Sequence, residues 1–357
     1  MQFRTIFSSS SACFKVAGLA LLLSLVSGTT MAQDLVFTEA ERTPLACDRQ
    51  LSVGELSKWK VPKANKPYKI AISVPSFANP YIQALIYGAE LAAKEAGVTI
   101  TVGAGRGWMD PASQITQFEN AMTRGPDAFL INPADPAGMA LTIEDAVANG
   151  VPVVEVGTLS LATTSLKVVQ DDYSQGVAAA EALGGLMPNG GTGILMGGPA
   201  NASWSRGRVA GFLDAVARDD SITVSKVVST DIDPQQGLTS FSNAAQANPQ
   251  VDWIYAVGSF LLAPQSIPDE YVGATYLGGT LTSVTLEALQ DGGADGILPD
   301  FPISVGYVGL SLAIAELNGE KNVQTNCIPN EIMGVADLAD SVWINSSILP
   351  DDWQVPE

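Results

Sequence analysis

Lys69-Ile-Ala-Ile-Ser-Val74, then Asn79-Pro80, then Ile82, Leu85, Ile86, Ala89 and Ala93 at helical spacing up to Gly97, is the stretch from which the rest of the chain is read. The short apolar run suits a strand covered on both faces. Asn79 is placed to cap a helix, Pro80 to fill its first turn and Gly97 to end it. The same order of strand, loop and helix recurs outward: a strand over 98–102 and a helix over 111–123, a strand over 127–132 and a helix over 136–149, then a strand over 151–156. It restarts at Leu166 with strands over 167–170, 193–196, 222–228, 252–257, 274–277 and 296–298, interleaved with helices over 174–186, 203–218, 235–247 and 282–290. Such alternation predicts an α/β fold of two successive domains, each a parallel sheet with helices on both faces. A last helix over 304–318 is expected to return to the first domain, which makes the connection a multi-strand hinge. The expected division is an arm over 33–66, a first lobe over 67–165 with 302–322, a second lobe over 166–301 with 323–345, and a tail over 346–357.

Composition narrows the function before any motif does. The 357 residues carry 18 Lys and Arg against 37 Asp and Glu, a net charge of −19. That excess repels phosphate backbones, so nucleic acid is not an expected partner. The chain has no histidine, which removes Ser-His-Asp and Cys-His catalysis, imidazole metal ligands and a histidine pH switch. No Walker loop, G-x-G-x-x-G or G-x-S-x-G pattern occurs. Asp231-x-Asp233 and Asp171-Asp172 read as turn acids or hard-cation ligands, without the spacing of a calcium loop. No cofactor and no enzymatic activity are expected; the competing reading is a secreted hydrolase or lyase using carboxylates such as Asp135 and Asp172.

Residues 1–32 have the layout of a signal peptide: Arg4 and Lys15, an apolar run over 16–26, and Thr30-Met31-Ala32 before the expected cleavage near Gln33. Export to an oxidising compartment follows, with a chain that is not embedded in the membrane and is monomeric. Cleavage would leave two cysteines, Cys47 and Cys327, which read as a disulfide between the arm and the closing segment, with two separate thiols as the alternative.

In parallel α/β sheets, ligands sit beyond the C-terminal ends of the strands. The candidate binding residues are therefore Phe77, Asn79 and Tyr81 after the first strand, then Trp108, Asp135 and Thr158 after the next three. The second half adds Asp172, Tyr173, Trp204, Arg206, Asp233, Ser259, Thr280 and Asp300. Across a cleft these would make aromatic walls and carboxylates around a small polar solute.

Residues 67–320 resemble the ribose-type (type I) periplasmic binding proteins. The resemblance is carried by Ile70-Ala-Ile-Ser-Val-Pro-Ser-Phe-Ala-Asn-Pro-Tyr81, Tyr87-Gly-Ala89, Gly125-Pro-Asp-Ala-Phe-Leu-Ile-Asn-Pro-Ala-Asp135, Gly150-Val-Pro-Val-Val154 and Arg206-Gly-Arg-Val-Ala-Gly-Phe212. It implies two Rossmann-like lobes with three crossings between them, hinge closure over a solute, and delivery to an ABC permease. Asn79, Tyr81 and Arg206 fall on positions that commonly touch ligand in that family. Gly157-Thr158 and Gly258-Ser259 stand where sugar binders usually carry Asp-Arg and Asn-Asp. A weaker resemblance, in the long arm, Pro75-Ser76, Arg106-Gly107-Trp108 and the Gln114 and Gln117 helix, is to the TorT group of periplasmic proteins. That group recognises trimethylamine N-oxide and reports it to a membrane sensor kinase. The second resemblance implies an aromatic site for a small methylated amine or N-oxide.

Overall fold

Aspartate and proline set where most helices begin. The computed structural model describes residues 35–355, and the signal-peptide reading lies outside the described residues. The first part runs β1 (Arg49–Gln50), α1 (Val53–Leu56), β2 (Lys69–Val74), α2 (Pro80–Ala96), β3 (Thr99–Ala104), α3 (Pro111–Met122), β4 (Ala128–Ile131), α4 (Pro136–Ala148), β5 (Val153–Gly157) and β6 (Leu166–Val169). There follow α5 (Asp172–Leu186), β7 (Gly191–Gly198), α6 (Ser203–Val216), β8 (Ile222–Ser229), α7 (Pro234–Ala247), β9 (Trp253–Ala256), β10 (Thr275–Gly279), α8 (Ser283–Asp291) and β11 (Gly296–Leu298). The chain closes with α9 (Pro302–Leu317), β12 (Thr325–Cys327) and α10 (Ser341–Asn345). Asn79 caps α2 by accepting from the Tyr81 amide, and Asp110, Asp135, Asp171 and Asp233 cap α3, α4, α5 and α7 in the same way. Each cap satisfies an amide that the helix leaves unpaired.

The strands form two parallel sheets, one of seven in the order β1-β12-β6-β5-β4-β2-β3 and one of five in the order β11-β10-β9-β7-β8. Every residue of β4, β5 and β9 is buried, as expected of strands covered on both faces. In each lobe one pair of helices packs with backbones nearly touching. A Cβ on Gly88 of α2 would lie 1.9 Å from the Ile303 carbonyl oxygen of α9, and one on Gly176 of α5 would lie 2.1 Å from that of Arg208 in α6.

The two-lobe architecture is as expected, but the division between lobes needs correction. Leu166–Val169 and Thr325–Cys327, assigned from sequence to the second lobe, pair in the first sheet, and the arm adds Arg49–Gln50 as its edge strand. A three- or four-residue apolar run looks the same in either sheet; its neighbours are fixed by topology. Met333 forms an antiparallel bridge with Ile297 at the edge of the second sheet. The chain then returns to the first lobe: the Ile303 amide of α9 donates to the Ser346 carbonyl at 3.0 Å, and Trp353 packs on Tyr87 of α2 while donating to Glu90 at 2.6 Å. Cys47 and Cys327 are disulfide-bonded, with Cα atoms 5.7 Å apart.

Four crossings join the lobes, after β6, after β11, after β12 and after Met333. Two of them are tied together: Gln170 Nε2 donates to Asn330 Oδ1 at 2.6 Å and to the Pro329 carbonyl at 3.1 Å, and Asn330 Nδ2 donates to the Asp171 carbonyl at 2.8 Å. Among the described residues no helix is long and apolar enough to cross a membrane.

Candidate functional site

β2 lies between β3 and β4, and β7 between β8 and β9, so each sheet has a point where successive connections leave in opposite directions. Loops diverge there and leave a crevice at the strand ends. The two crevices meet in a cleft holding about 320 Å³ of space, its open mouth included. The first lobe lines it with Asn79, Tyr81, Trp108, Asn132, Gly157 and Thr158, and the second with Trp204, Arg208, Phe260 and Asp300.

Aromatic rings form an unbroken row across the lobes. Trp108 meets Trp204 edge-on at 6.2 Å, and Trp204 meets Phe260 at 5.8 Å. Asn201 Nδ2 donates to the Trp108 carbonyl at 3.1 Å, a second direct link between the lobes. Both indoles are 5% exposed, and neither Trp108 Nε1 nor Trp204 Nε1 has a hydrogen-bond partner within the protein. Asn132 is fully buried, with its Nδ2 donating to the Val156 carbonyl at 2.6 Å and its Oδ1 unpaired. Gln114 of α3 holds the Asn132 loop, donating to the Asn132 carbonyl and accepting from the Ala134 amide. Unpaired buried polar atoms are costly, which makes these three groups candidates for contact with a ligand.

Gly157 is the backbone condition for this floor. It sits at φ 77°, and a Cβ there would lie 2.3 Å from Tyr81 Oη and 3.0 Å from Asn132 Nδ2. Burial pushes the Tyr81 phenol well above its ordinary value, so it remains a neutral hydroxyl able to donate or accept.

The polar side of the cleft belongs to the second lobe and is largely self-satisfied. Arg208 directs Nε to Asp172 at 2.9 Å, Nη1 to the Val257 carbonyl at 2.8 Å and Nη2 to Asp300 at 3.0 Å. Asp300 also accepts from Gln175 at 3.0 Å and from the Thr280 hydroxyl. Arg208 lies over the Trp204 ring at 5.5 Å. Burial pushes the Asp172 carboxyl up to about 6, against the opposing pull of the Arg208 guanidinium. Thr280 at φ 70° and Phe301 at φ 48° are both in the left-handed region that side chains disfavour. Such strain is typical where surrounding contacts hold a site in shape.

Of the candidates read from sequence, Asn79, Tyr81, Trp108, Thr158, Trp204 and Asp300 line the cleft. Asp172 and Thr280 stand behind it, on Arg208 and Asp300. Ser259 bonds the Gly279 carbonyl. Five others, contrary to expectation, are not brought to the cleft. Asp135 and Asp233 are helix caps. Phe77 is part-exposed outside the lining, its carbonyl accepting from Gln83. Tyr173 points to Asp214 at 3.3 Å. Arg206 pairs with Glu41 of the arm.

Arg208, Asn132, Gly157 and Phe260 were missed as candidates. Trp204 and Arg208 are four residues apart and share a helix face, whereas Arg206 lies about 160° around the axis from Arg208. Helical phase was the signal that could have chosen the right arginine.

Residues 70–321 match the family described as periplasmic binding protein domain. The chain is 26% identical over 281 residues to the ribose import binding protein RbsB of Bacillus subtilis, covering 77% of this chain and 91% of that one. It is 24% identical over 297 residues to the periplasmic protein TorT of Escherichia coli K12, covering 81% and 84%. Its fold matches the crystal structure of a sugar ABC transport system substrate-binding protein from Bordetella parapertussis, with a TM-score of 0.77 at 16% identity over 84% of this chain and all of that one. The match over most of the chain, the paired parallel sheets and the cleft between them together place this chain in the periplasmic binding protein family.

Proposed function

We propose that the protein is an exported, non-enzymatic receptor that closes its lobes on a small polar, sugar-like solute and delivers it to an ABC importer. The observation that carries this reading is the set of buried, unpaired hydrogen-bonding atoms at one cleft, Trp108 Nε1, Trp204 Nε1 and Asn132 Oδ1, beside aromatic faces. A solute with oxygen acceptors would satisfy both indoles, and one hydroxyl would donate to Asn132. The likeness to a ribose import binding protein supports the sugar-like class. The proposed contacts are Asn79, Tyr81, Trp108, Asn132, Thr158, Trp204, Arg208 and Phe260.

The second reading is a periplasmic co-receptor that presents a small methylated amine or N-oxide to a membrane sensor kinase. It is favoured by the aromatic row and by two ionisable carboxylates against one guanidinium, a balance suited to a cationic centre. The likeness to TorT agrees with it.

Thermal shift against aldoses, polyols, methylated amines and N-oxides separates the two, since ligand at a thousand times its dissociation constant stabilises by about 4 kcal/mol. A shift with a sugar or polyol supports the first reading. A shift confined to methylated amines or N-oxides moves the assignment to the second, and no shift with any class counts against both.

A further inference from the structure

We propose that residues 36–42 of the arm act as a brace that holds α6 in its cleft-closing position, with Glu41 and Arg206 as the positioning pair. The inference rests on the cleft being where solute is held, because α6 carries Trp204 and Arg208 on its cleft face. The opposite face of that helix meets the arm. Arg206 makes a two-pronged contact with Glu41, with Nη2 to Oε2 at 2.9 Å, and Nη2 also donates to the Val36 carbonyl at 2.7 Å. Two turns along, Asp214 pairs with Arg42. The arm thus offers an acid to a base and a base to an acid, so sliding it along the helix would break both pairs. Phe37 lies beneath both guanidinium groups, 5.4 Å from that of Arg42 and 5.2 Å from that of Arg206.

The other end of the arm is fixed to the first lobe. Cys47 is bonded to Cys327, Arg49–Gln50 pair with β12, and the Leu51 amide donates to the Cys327 carbonyl at 2.8 Å. Only residues 43–46 lie between the two anchors, and the five steps from Arg42 to Cys47 reach about 18 Å at most. A tether this short leaves α6 little room to swing away from β12 unless residues 36–42 first leave the helix. The brace therefore links undocking of the arm to opening of the cleft, at a distance from any ligand contact.

The test uses full-length protein without ligand, so its outcome is independent of which solute binds. Glu41→Arg, Arg206→Glu and the doubly exchanged protein are compared by small-angle scattering and by amide hydrogen exchange over 203–208. Each single exchange should expand the scattering profile and speed exchange in that turn by about fivefold, the size expected for loss of a partly buried ion pair. The double exchange should restore most of both. Unchanged profiles and exchange rates in both single variants would overturn the brace. So would failure of the double exchange to restore them while the far-UV spectrum stays native. Failure of the cleft reading would show separately, as absence of any ligand-induced thermal shift in the wild-type protein.

Discussion

Replacing Arg208 by Met should destabilise the protein in a pH-dependent way whose sign follows from the site. The guanidinium side chain is 5% exposed and sits between two carboxylates that are 12% and 4% exposed. Its removal leaves both without their cation, and breaking a buried pair in this way costs about 3–5 kcal/mol. The pH dependence comes from Asp172, whose carboxyl is pushed by burial from its ordinary 3.8 to about 6, against the pull of Arg208. A raised folded-state pKa means that the folded protein holds the proton more tightly than the unfolded chain. Wild-type stability from this group therefore falls as pH rises from about 4 to about 6, by roughly 3 kcal/mol. Without the guanidinium the carboxyl rises further and the fall extends to higher pH. The variant should thus lose more at about pH 8 than at about pH 5, where protonation relieves the buried charge. Urea unfolding followed by far-UV circular dichroism at both pH values measures this. Equal losses at the two pH values, or a loss below about 1 kcal/mol at the higher one, would refute the argument that Arg208 neutralises buried charge.

Other outcomes follow from the same geometry. Trp108→Phe and Trp204→Phe keep a ring but remove an N–H that has no partner in the protein; each should leave the urea midpoint nearly unchanged while weakening ligand binding by about 1 kcal/mol in calorimetric titration. Unaltered affinity in both would take the indole N–H groups out of the ligand shell. Gly157→Ala places a methyl against Tyr81 Oη at a left-handed backbone position, and should lower stability by about 1–2 kcal/mol and reduce affinity. Wild-type behaviour would show that Tyr81 does not need its present position. Reducing the Cys47–Cys327 bond, whose ends are 280 residues apart, should cost up to about 5 kcal/mol on the chain-entropy account; thermal midpoints that agree with and without reductant would argue against that account.

The legible parts of the fold were those with local causes. α2, α3, α4 and α7 announce themselves by an Asn or Asp cap followed by proline, and their starts match the structure to within one residue. β1, β12 and α10 are only two, three and five residues long, too short for a period to register. β6 pairs with β5, the strand just before it, but β12 is placed in the first sheet by pairing with β6 and β1, far away in the chain, which no local pattern encodes. At the cleft, Tyr81, Trp108 and Trp204 were readable because they lie in the loops or first helical turns after strands, whereas Phe260, just after β9, was not singled out. The assignment of Arg206 failed because two arginines two positions apart point to opposite sides of one helix, one toward Asp172 and Asp300 and the other toward the arm. Asp135 and Asp233 misled for a related reason: a carboxylate at a strand end serves equally as a helix cap.

The bonds from Gln170 and Asn330 that tie two of the crossings together bear on how the lobes can move. Independent connectors would permit bending, twisting and shear; cross-linking two of the four into one ribbon restricts the twist and favours rotation about an axis along that ribbon. Under that motion the aromatic row divides at the Trp108–Trp204 contact. Trp204 and Phe260 then travel together as one jaw and Trp108 with the other, so a solute touching both would shed one jaw's contacts before the other's.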